Sequence, residues 1–193
     1  IAASIAELGF KVGLMDADIY GPSQPKMFGL AGSNVEILNK KIQPKKIGNL
    51  SMMSMGMLFP EHEAIIWRGP MLMKAIQQLL LDVSWGDQDY FIVDLPPGTG
   101  DIHITLAQKV LISGAIVIST PQDMSLIDAK KAIKLFSKTN TKILGLIENM
   151  SYFQCSKCGE KHDIFSNGGV KKISYSQNLP FLGNIPLLKE IMI

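Results

Sequence analysis

The chain has 193 residues, of which 47 % are hydrophobic and 19 % charged, so it can bury one substantial core and is not intrinsically disordered. Its net charge of +2 is too small to favour nucleic acid or an anionic membrane as a partner, and the lysines at 40, 41, 45 and 46 are interpreted as a solvated edge. No apolar stretch reaches the roughly 20 residues that span a bilayer, and no signal peptide is recognised, so we expect a cytoplasmic protein.

Apolar runs and helical periodicity predict alternating strands and helices along the chain. In order, we predict a strand at 11–15, a hairpin or edge strands at 35–38 and 50–59, a helix at 69–81, a strand at 90–94, a helix at 102–112, a strand at 114–120, a helix at 125–138, a strand at 142–149, a loop at 150–169, a helix at 170–177 and a strand at 180–185. The methionines at 52, 53, 55 and 57 favour a strand with adaptable apolar side chains over a soft-metal site.

The residues at each end of the chain predict an incomplete helix. Residues 1–9 predict the second half of a helix that stops at Gly9, and residues 187–193 predict a helix without an end. We therefore expect one α/β domain over 1–193 that is truncated at both ends.

Alternation of strands and helices favours a doubly wound, mainly parallel sheet that is covered on both faces. Four predicted strands end at polar residues: Asp16 with Asp18, Asp94, Thr120 and Asn149. In a parallel sheet these ends share one edge, where ligands bind. Asp94 is a candidate magnesium ligand, and the alternative is a turn residue near the start of the next helix.

Six motifs follow one another in an order that resembles the Mrp/ApbC family, a group of P-loop ATPases related to MinD and the nitrogenase iron protein that carry iron–sulfur clusters. They are Asp16-Ala-Asp-Ile-Tyr-Gly-Pro-Ser23, Trp67-Arg-Gly-Pro70, Asp94-Leu-Pro-Pro-Gly-Thr-Gly-Asp101, Thr120-Pro-Gln-Asp123, Glu148-Asn-Met150 and Cys155-x-x-Cys158-Gly. The resemblance covers essentially the whole chain.

The family's Walker A loop, of the type Lys-Gly-Gly-Val-Gly-Lys-Ser/Thr, and the strand before it are expected just ahead of Ile1 and are absent from these residues. Backbone N–H groups of that loop bind phosphate. We therefore expect residues 1–193 alone to bind ATP weakly or not at all, and restoration of the upstream loop to rescue binding.

The resemblance implies roles for the carboxylates in ATP hydrolysis. Asp18 would polarise the attacking water or hold the magnesium shell, with Asp16 beside it. Asp94 would hold Mg²⁺ through water. Phosphoryl transfer by such a site depends on positioning and electrostatics, and we expect slow hydrolysis that drives a conformational switch.

The resemblance also implies residues that contact the nucleotide. Pro96 and Gly98 lie in a segment, 96–101, that would sense the γ-phosphate. Asn149 would bind the adenine edge, because an amide can donate and accept at once. Pro186 would border the base.

Cys155 and Cys158 are the only cysteines, and their spacing indicates metal or redox chemistry. A [4Fe–4S] cluster needs four thiolates, so a two-fold dimer could bridge one cluster with both pairs. Alternatives are a zinc ion shared across the dimer, His162 as a further ligand, a thioredoxin-like redox pair, or two free thiols.

Two functions follow from these patterns. The leading hypothesis is a homodimeric carrier that uses ATP and Mg²⁺, holds a [4Fe–4S] cluster and transfers it to apo iron–sulfur proteins. The alternative is a positioning ATPase like MinD or ParA, in which the cysteines bind structural zinc.

Overall fold

The structure is a computed structural model that describes residues 1–58 and 69–188. The chain forms two compact units, Ile1–Pro97 and Gly98–Ile193, and each contains its own sheet. Trp67 and most of the predicted final helix lie outside the described residues. Among the helices that are described, none is long and apolar enough to cross a membrane.

The first unit combines a four-stranded sheet with short helices and a hairpin. Its elements are α1 (Ala2–Glu7), β1 (Val12–Asp16), α2 (Gln24–Met27), β2 (Glu36–Leu38), β3 (Lys41–Gln43), β4 (Lys45–Ile47), β5 (Leu50–Ser54), α3 (Met55–Leu58), α4 (Gly69–Leu81) and β6 (Tyr90–Asp94). The sheet order is β4-β5-β1-β6, in which β1 pairs parallel with β5 and β6 while β4 runs antiparallel to β5. The hairpin pairs β2 with β3.

Strands β1 and β5 form the centre of this sheet, and every residue in both is buried. Such continuous apolar runs are typical of parallel strands covered on both faces. Gly13 in β1 is required by close packing, because a Cβ atom there would lie 2.6 Å from Cδ2 of Phe91 on β6.

The hairpin interpretation of this region is confirmed for Leu50–Ser54, because β5 pairs antiparallel with β4 across a tight turn, whereas the edge-strand interpretation is wrong. β5 is an interior strand between β4 and β1, and the chain turns into helix α3 at Met55. Met52 and Met53 are completely buried in β5, as expected for a strand filled with apolar side chains. Met55 and Met57 instead belong to α3. The apolar run continues from strand into helix, so periodicity alone does not mark the boundary.

The second unit has a parallel sheet with one added hairpin strand. Its elements are α5 (Asp101–Lys109), β7 (Ala115–Ser119), α6 (Asp123–Lys138), β8 (Ile143–Gln154), β9 (Lys161–His162), α7 (Gly169–Ser176) and β10 (Phe181–Leu187). The order is β10-β8-β7 with parallel pairing, and β9 pairs antiparallel with β8. Helix α6 buries Ala129, Ile133 and Phe136, which form one apolar face.

Two boundaries in the second unit differ from the prediction. β8 continues to Gln154, so the first five residues of the predicted loop at 150–169 are strand; β9 supplies ladder partners for the last two of them, Phe153 and Gln154. Pro186 does not end the last strand but lies inside β10, at an irregularity between Ile185 and Leu187. A proline is tolerated there because β10 pairs only with β8 among the described strands. The chain has the predicted α/β fold with mainly parallel pairing.

The interior position of β5 predicts a large effect of shortening Met53. Met53→Ala should lower the free energy of unfolding by about 2–5 kcal/mol, because a fully buried methionine leaves a cavity. The control Met71→Ala, at a side chain that is 50 % exposed on α4, should change it by less than about 0.5 kcal/mol. Equal effects in urea denaturation would contradict the placement of β5.

Candidate functional site

Asp16 and Asp94 end neighbouring parallel strands of the first unit. They are direct register partners, and the backbone N–H of Ala17 donates to the carbonyl oxygen of Asp94 at 2.9 Å. The predicted meeting of these two strand ends is therefore confirmed. The register places both carboxylates at the edge where ligands bind in α/β sheets.

Asp16 is completely buried, and protein groups donate hydrogen bonds to both of its carboxylate oxygens. Ser54 Oγ donates to Oδ2 at 2.8 Å, and the backbone N–H of Asp18 donates to Oδ1 at 3.1 Å. Ser54 in turn accepts from the backbone N–H of Gly56 at 3.1 Å. Burial raises the pKa of Asp16 above its ordinary value, the hydrogen bond from Ser54 acts in the opposite direction, and the nearby Asp94 charge raises the pKa further.

Asp18 is half-buried and shapes the loop that follows β1. Its Oδ1 accepts from the backbone N–H groups of Tyr20 and Gly21, each at 3.1 Å. The loop closes against α3, where a Cβ on Gly56 would lie 2.6 Å from Cγ of Pro22. Glycine is thus needed at 56 for the backbone to approach this loop.

Gln24 is a site residue that the sequence reasoning missed. Its Nε2 donates to Oδ2 of Asp94 at 2.6 Å, although the two residues are 70 positions apart in the chain. No local sequence pattern predicts this hydrogen bond, because it depends on the pairing of β1 with β6.

Mg²⁺ prefers oxygen ligands. It commonly binds to proteins through one or two carboxylates and keeps several water ligands. Asp94 and Asp16 therefore fit such an ion chemically. Among the described residues, no three His, Cys, Asp or Glu side chains are grouped to hold a metal by themselves. An ion at this edge would need water and ligand oxygens as well.

The segment after β6 has the backbone of a tight turn. Pro96 is buried, whereas Gly98 is exposed and has a φ of 95°, a conformation that favours glycine. Gly100 precedes the first residue of α5. The role of this segment in sensing phosphate stays a prediction.

Asn149 and Pro186 come together on adjacent strands. Asn149 of β8 is the register partner of Ile185 of β10, and Pro186 follows directly. The Asn149 Oδ1 atom accepts from the backbone N–H of Met150 at 3.0 Å. On the other side of β8, Ser119 pairs with Glu148, so Thr120 and Asn149 follow neighbouring strand positions. Their contact with a nucleotide stays a prediction.

Glu148 is a second fully buried carboxylate, and its hydrogen bonds anchor helix α7. Oε1 accepts from Ser151 Oγ at 2.7 Å and from the Gly168 backbone N–H at 3.1 Å, and Oε2 accepts from the Val170 backbone N–H at 2.9 Å. These N–H groups lie at the start of α7, where backbone donors lack partners within the helix. Glu148 is therefore a structural anchor.

Cys155 and Cys158 lie in the connection between β8 and β9, and both are free thiols. The backbone N–H of Cys155 donates to the Glu160 carbonyl and that of Gly159 donates to the Cys155 carbonyl, both at 2.9 Å. Gly159 has a φ of 74°, which suits the tight turn. The hairpin presents Cys158 to solvent and leaves Cys155 half-buried.

The turn favours the thiolate form of Cys155. The backbone N–H of Cys158, and then that of Lys157, hydrogen-bond to the sulfur and lower the pKa of Cys155 from its ordinary value of 9.0. A thiolate is the form that binds metal. His162 pairs with Phe153 across the hairpin and lies 3.8 Å from Glu160, and within the described residues it forms no metal-binding group with the two cysteines.

Comparison with known proteins gives a match over the full chain. Residues 1–193 match the family described as ParA: NUBPL iron-transfer P-loop NTPase. An iron–sulfur cluster carrier protein of Aquifex aeolicus is 46 % identical over 193 residues, which are 99 % of this chain and 53 % of the relative. The iron–sulfur cluster transfer protein NUBPL of Mus musculus is 47 % identical over 176 residues, 91 % of this chain and 55 % of that protein. The chain thus spans about half the length of these relatives.

Solved structures show the same fold. A nucleotide-binding protein from Archaeoglobus fulgidus in complex with ADP, with Co found by PIXE, superposes with a TM-score of 0.84 at 34 % identity, covering 99 % of this chain and 75 % of that one. MinD from Pyrococcus horikoshii with Mg-ADP gives a TM-score of 0.62 at 18 % identity, covering 96 % and 72 %. The second likeness shows the fold alone.

The three hydrogen bonds of Glu148 predict that its charge cannot be replaced by an amide. Glu148→Gln should lower the free energy of unfolding by about 1–3 kcal/mol. Both carboxylate oxygens accept hydrogen bonds, so the NH₂ group that replaces one of them would face a hydrogen-bond donor and leave it without an acceptor. Glu7→Gln, at an exposed position, is the matched control and should stay within about 0.5 kcal/mol. A neutral result for Glu148→Gln in chemical denaturation would contradict the anchoring role.

The turn around Cys155 predicts thiolate reactivity at unusually low pH. In a Cys158→Ala variant, which keeps the backbone N–H at 158, the iodoacetamide rate at Cys155 should rise with pH to a lower midpoint in the folded protein than in the same variant unfolded in urea. The sign follows because a lowered pKa leaves more thiolate at a given pH. Equal midpoints, or a higher one in the folded metal-free protein, measured by mass spectrometry, would contradict this arrangement.

Proposed function

Because the chain belongs to the family of NUBPL-type iron-transfer P-loop NTPases, we propose that it forms the nucleotide- and cluster-binding part of an ATP-dependent iron–sulfur cluster carrier. The observation that carries this proposal is the hairpin turn in which Cys155 faces two backbone N–H groups beside an exposed Cys158. Thiolates are the usual ligands of iron–sulfur clusters, and hydrogen bonds to the sulfur favour the thiolate over the thiol.

The cluster is the cargo, and two copies of the chain hold it. Each chain supplies two thiolates, and its described residues offer no third metal-binding side chain grouped with them. A [4Fe–4S] cluster takes four thiolates, so a two-fold homodimer that pairs the two hairpins completes the set. Exposure of Cys158 gives the thiols of an apo iron–sulfur protein access to the cluster, and transfer proceeds by exchange of thiolate ligands.

The carboxylate edge of the first unit binds the nucleotide's metal. Asp94 would hold Mg²⁺ through water, and the buried Asp16 would add negative charge beside it. When bound, Mg²⁺ neutralises charge on the transferred phosphoryl group. Asp18 would orient the attacking water, and its Oδ1 already accepts from the N–H groups of Tyr20 and Gly21, which fix the carboxylate in the loop.

Nucleotide contacts and cluster release are linked through the segment that follows β6. Residues 96–101 join Asp94 to helix α5, and Gly98 gives that segment a backbone conformation that few other residues adopt readily. Asn149 and Pro186 border the adenine. Slow hydrolysis then changes the geometry of the dimer rather than supplying rapid turnover.

Removal of both thiols tests the cluster site. After anaerobic reconstitution with iron and sulfide, a Cys155→Ala, Cys158→Ala double variant should lose nearly all bound iron and sulfide, because the described residues hold no other thiolates. Ser156→Ala, an exposed change in the same turn, is the control and should bind as the parent does.

Two outcomes would contradict the carrier proposal. The first is a double variant that folds, by its thermal unfolding midpoint, and binds as much cluster as the parent. The second is a parent protein that retains zinc and takes up no iron anaerobically, a result that favours the positioning ATPase with structural zinc.

A further inference from the structure

Gln24 links both carboxylates at the edge of the first sheet. It is the first residue of α2 and half-buried, and its side-chain amide donates to Asp94 while its backbone N–H faces Asp16. The hydrogen bond from the Gln24 side-chain amide to Asp94 has an N···O distance of 2.6 Å. Gln24 thus contacts both of the aspartates that end β1 and β6.

The bond leaves one half of the Asp94 carboxylate open. Gln24 occupies Oδ2, whereas Oδ1 accepts no hydrogen bond from the part of the chain that the structure describes. A carboxylate offers about four lone-pair sites on its two oxygens. Fixing Oδ2 therefore fixes the rotamer of Asp94 and holds Oδ1 ready for another donor.

We propose that Gln24 is a positioning residue for magnesium: its amide orients Asp94 so that Oδ1 accepts from a metal-bound water. This inference rests on the proposed function, since it assigns Asp94 to the Mg²⁺ of the nucleotide. It adds a residue from outside the strand pair that sets how well the site binds its cation.

The chemistry of an amide suits this task. A lysine or arginine at 24 would neutralise Asp94 and compete with a cation, and a glutamate would add a third negative charge beside Asp16 and Asp94. An amide donates a hydrogen bond without a charge, so the negative potential of the edge remains available. A hydrocarbon side chain would let Asp94 turn freely.

The backbone that carries Gln24 is anchored. Pro25, the next residue, is buried in α2, and Pro22 packs so closely on Gly56 that a Cβ there would lie 2.6 Å from the proline ring. The amide is therefore presented from a held turn, which limits the entropy lost when it orients Asp94. Because the same turn includes Asp18, Gln24 also ties the position of Asp94 to that loop.

A Gln24→Met variant tests the proposal, because methionine matches the length of glutamine and lacks the donor. In the full-length protein, calorimetric binding of adenylyl imidodiphosphate should need roughly 3- to 10-fold more Mg²⁺ for half-saturation than in the parent. Binding of the same nucleotide in EDTA should be unchanged. Gln78→Met, the same change at an exposed position of α4, should leave both values at the parent's.

The outcomes distinguish a failure of the role of Gln24 from a failure of the proposed function. A folded Gln24→Met protein with the parent's Mg²⁺ requirement, or with an equal loss of binding in EDTA, overturns the role of Gln24 alone. An Asp94→Asn variant should lose most of the Mg²⁺ dependence. If it keeps the parent's dependence, or if the parent binds nucleotide without regard to Mg²⁺, the assignment of Asp94 fails and the inference fails with it.

Discussion

In the first unit the carboxylate of Asp16 has no access to solvent, and Asp94 ends the neighbouring strand in direct register. Burying a charge costs several kcal/mol unless partners replace the lost water. Ser54 and the Asp18 backbone replace part of it, yet the pKa of Asp16 remains raised by burial and by Asp94. The negative charge at this edge is therefore only partly compensated. The loop after β1, Gln24 and the Ser54–Gly56 contact all lie beside it.

The second unit contains a buried carboxylate with the opposite character. Glu148 accepts three hydrogen bonds, from Ser151 and from backbone N–H groups at the start of α7, so its charge is compensated by protein groups alone. The comparison separates two uses of the same chemistry. A fully compensated carboxylate fixes a helix, whereas an under-compensated one at a strand end favours a cation.

Sequence patterns predict most of the fold because strands and helices here have long, clear apolar periodicities, as α6 shows with Ala129 and Ile133. Their failures have physical causes. β5 and α3 share one apolar run, and the end of β8 is strand because Phe153 and Gln154 pair with β9. For the candidate site, the motifs predict Asp94 and the cysteines, but they cannot predict the contact of Gln24 with Asp94, because the two residues are 70 positions apart in the chain.

The cysteine hairpin and the carboxylate edge become one function only if a second copy of the chain completes the thiolate set. Native mass spectrometry of the anaerobically reconstituted full-length protein measures this directly. A cluster-bridged homodimer should appear as a species with the mass of two chains plus one [4Fe–4S] cluster, which separates into cluster-free single chains when the cluster is lost. A single chain that retains a complete cluster, or a dimer that carries zinc and no iron under these conditions, would contradict it.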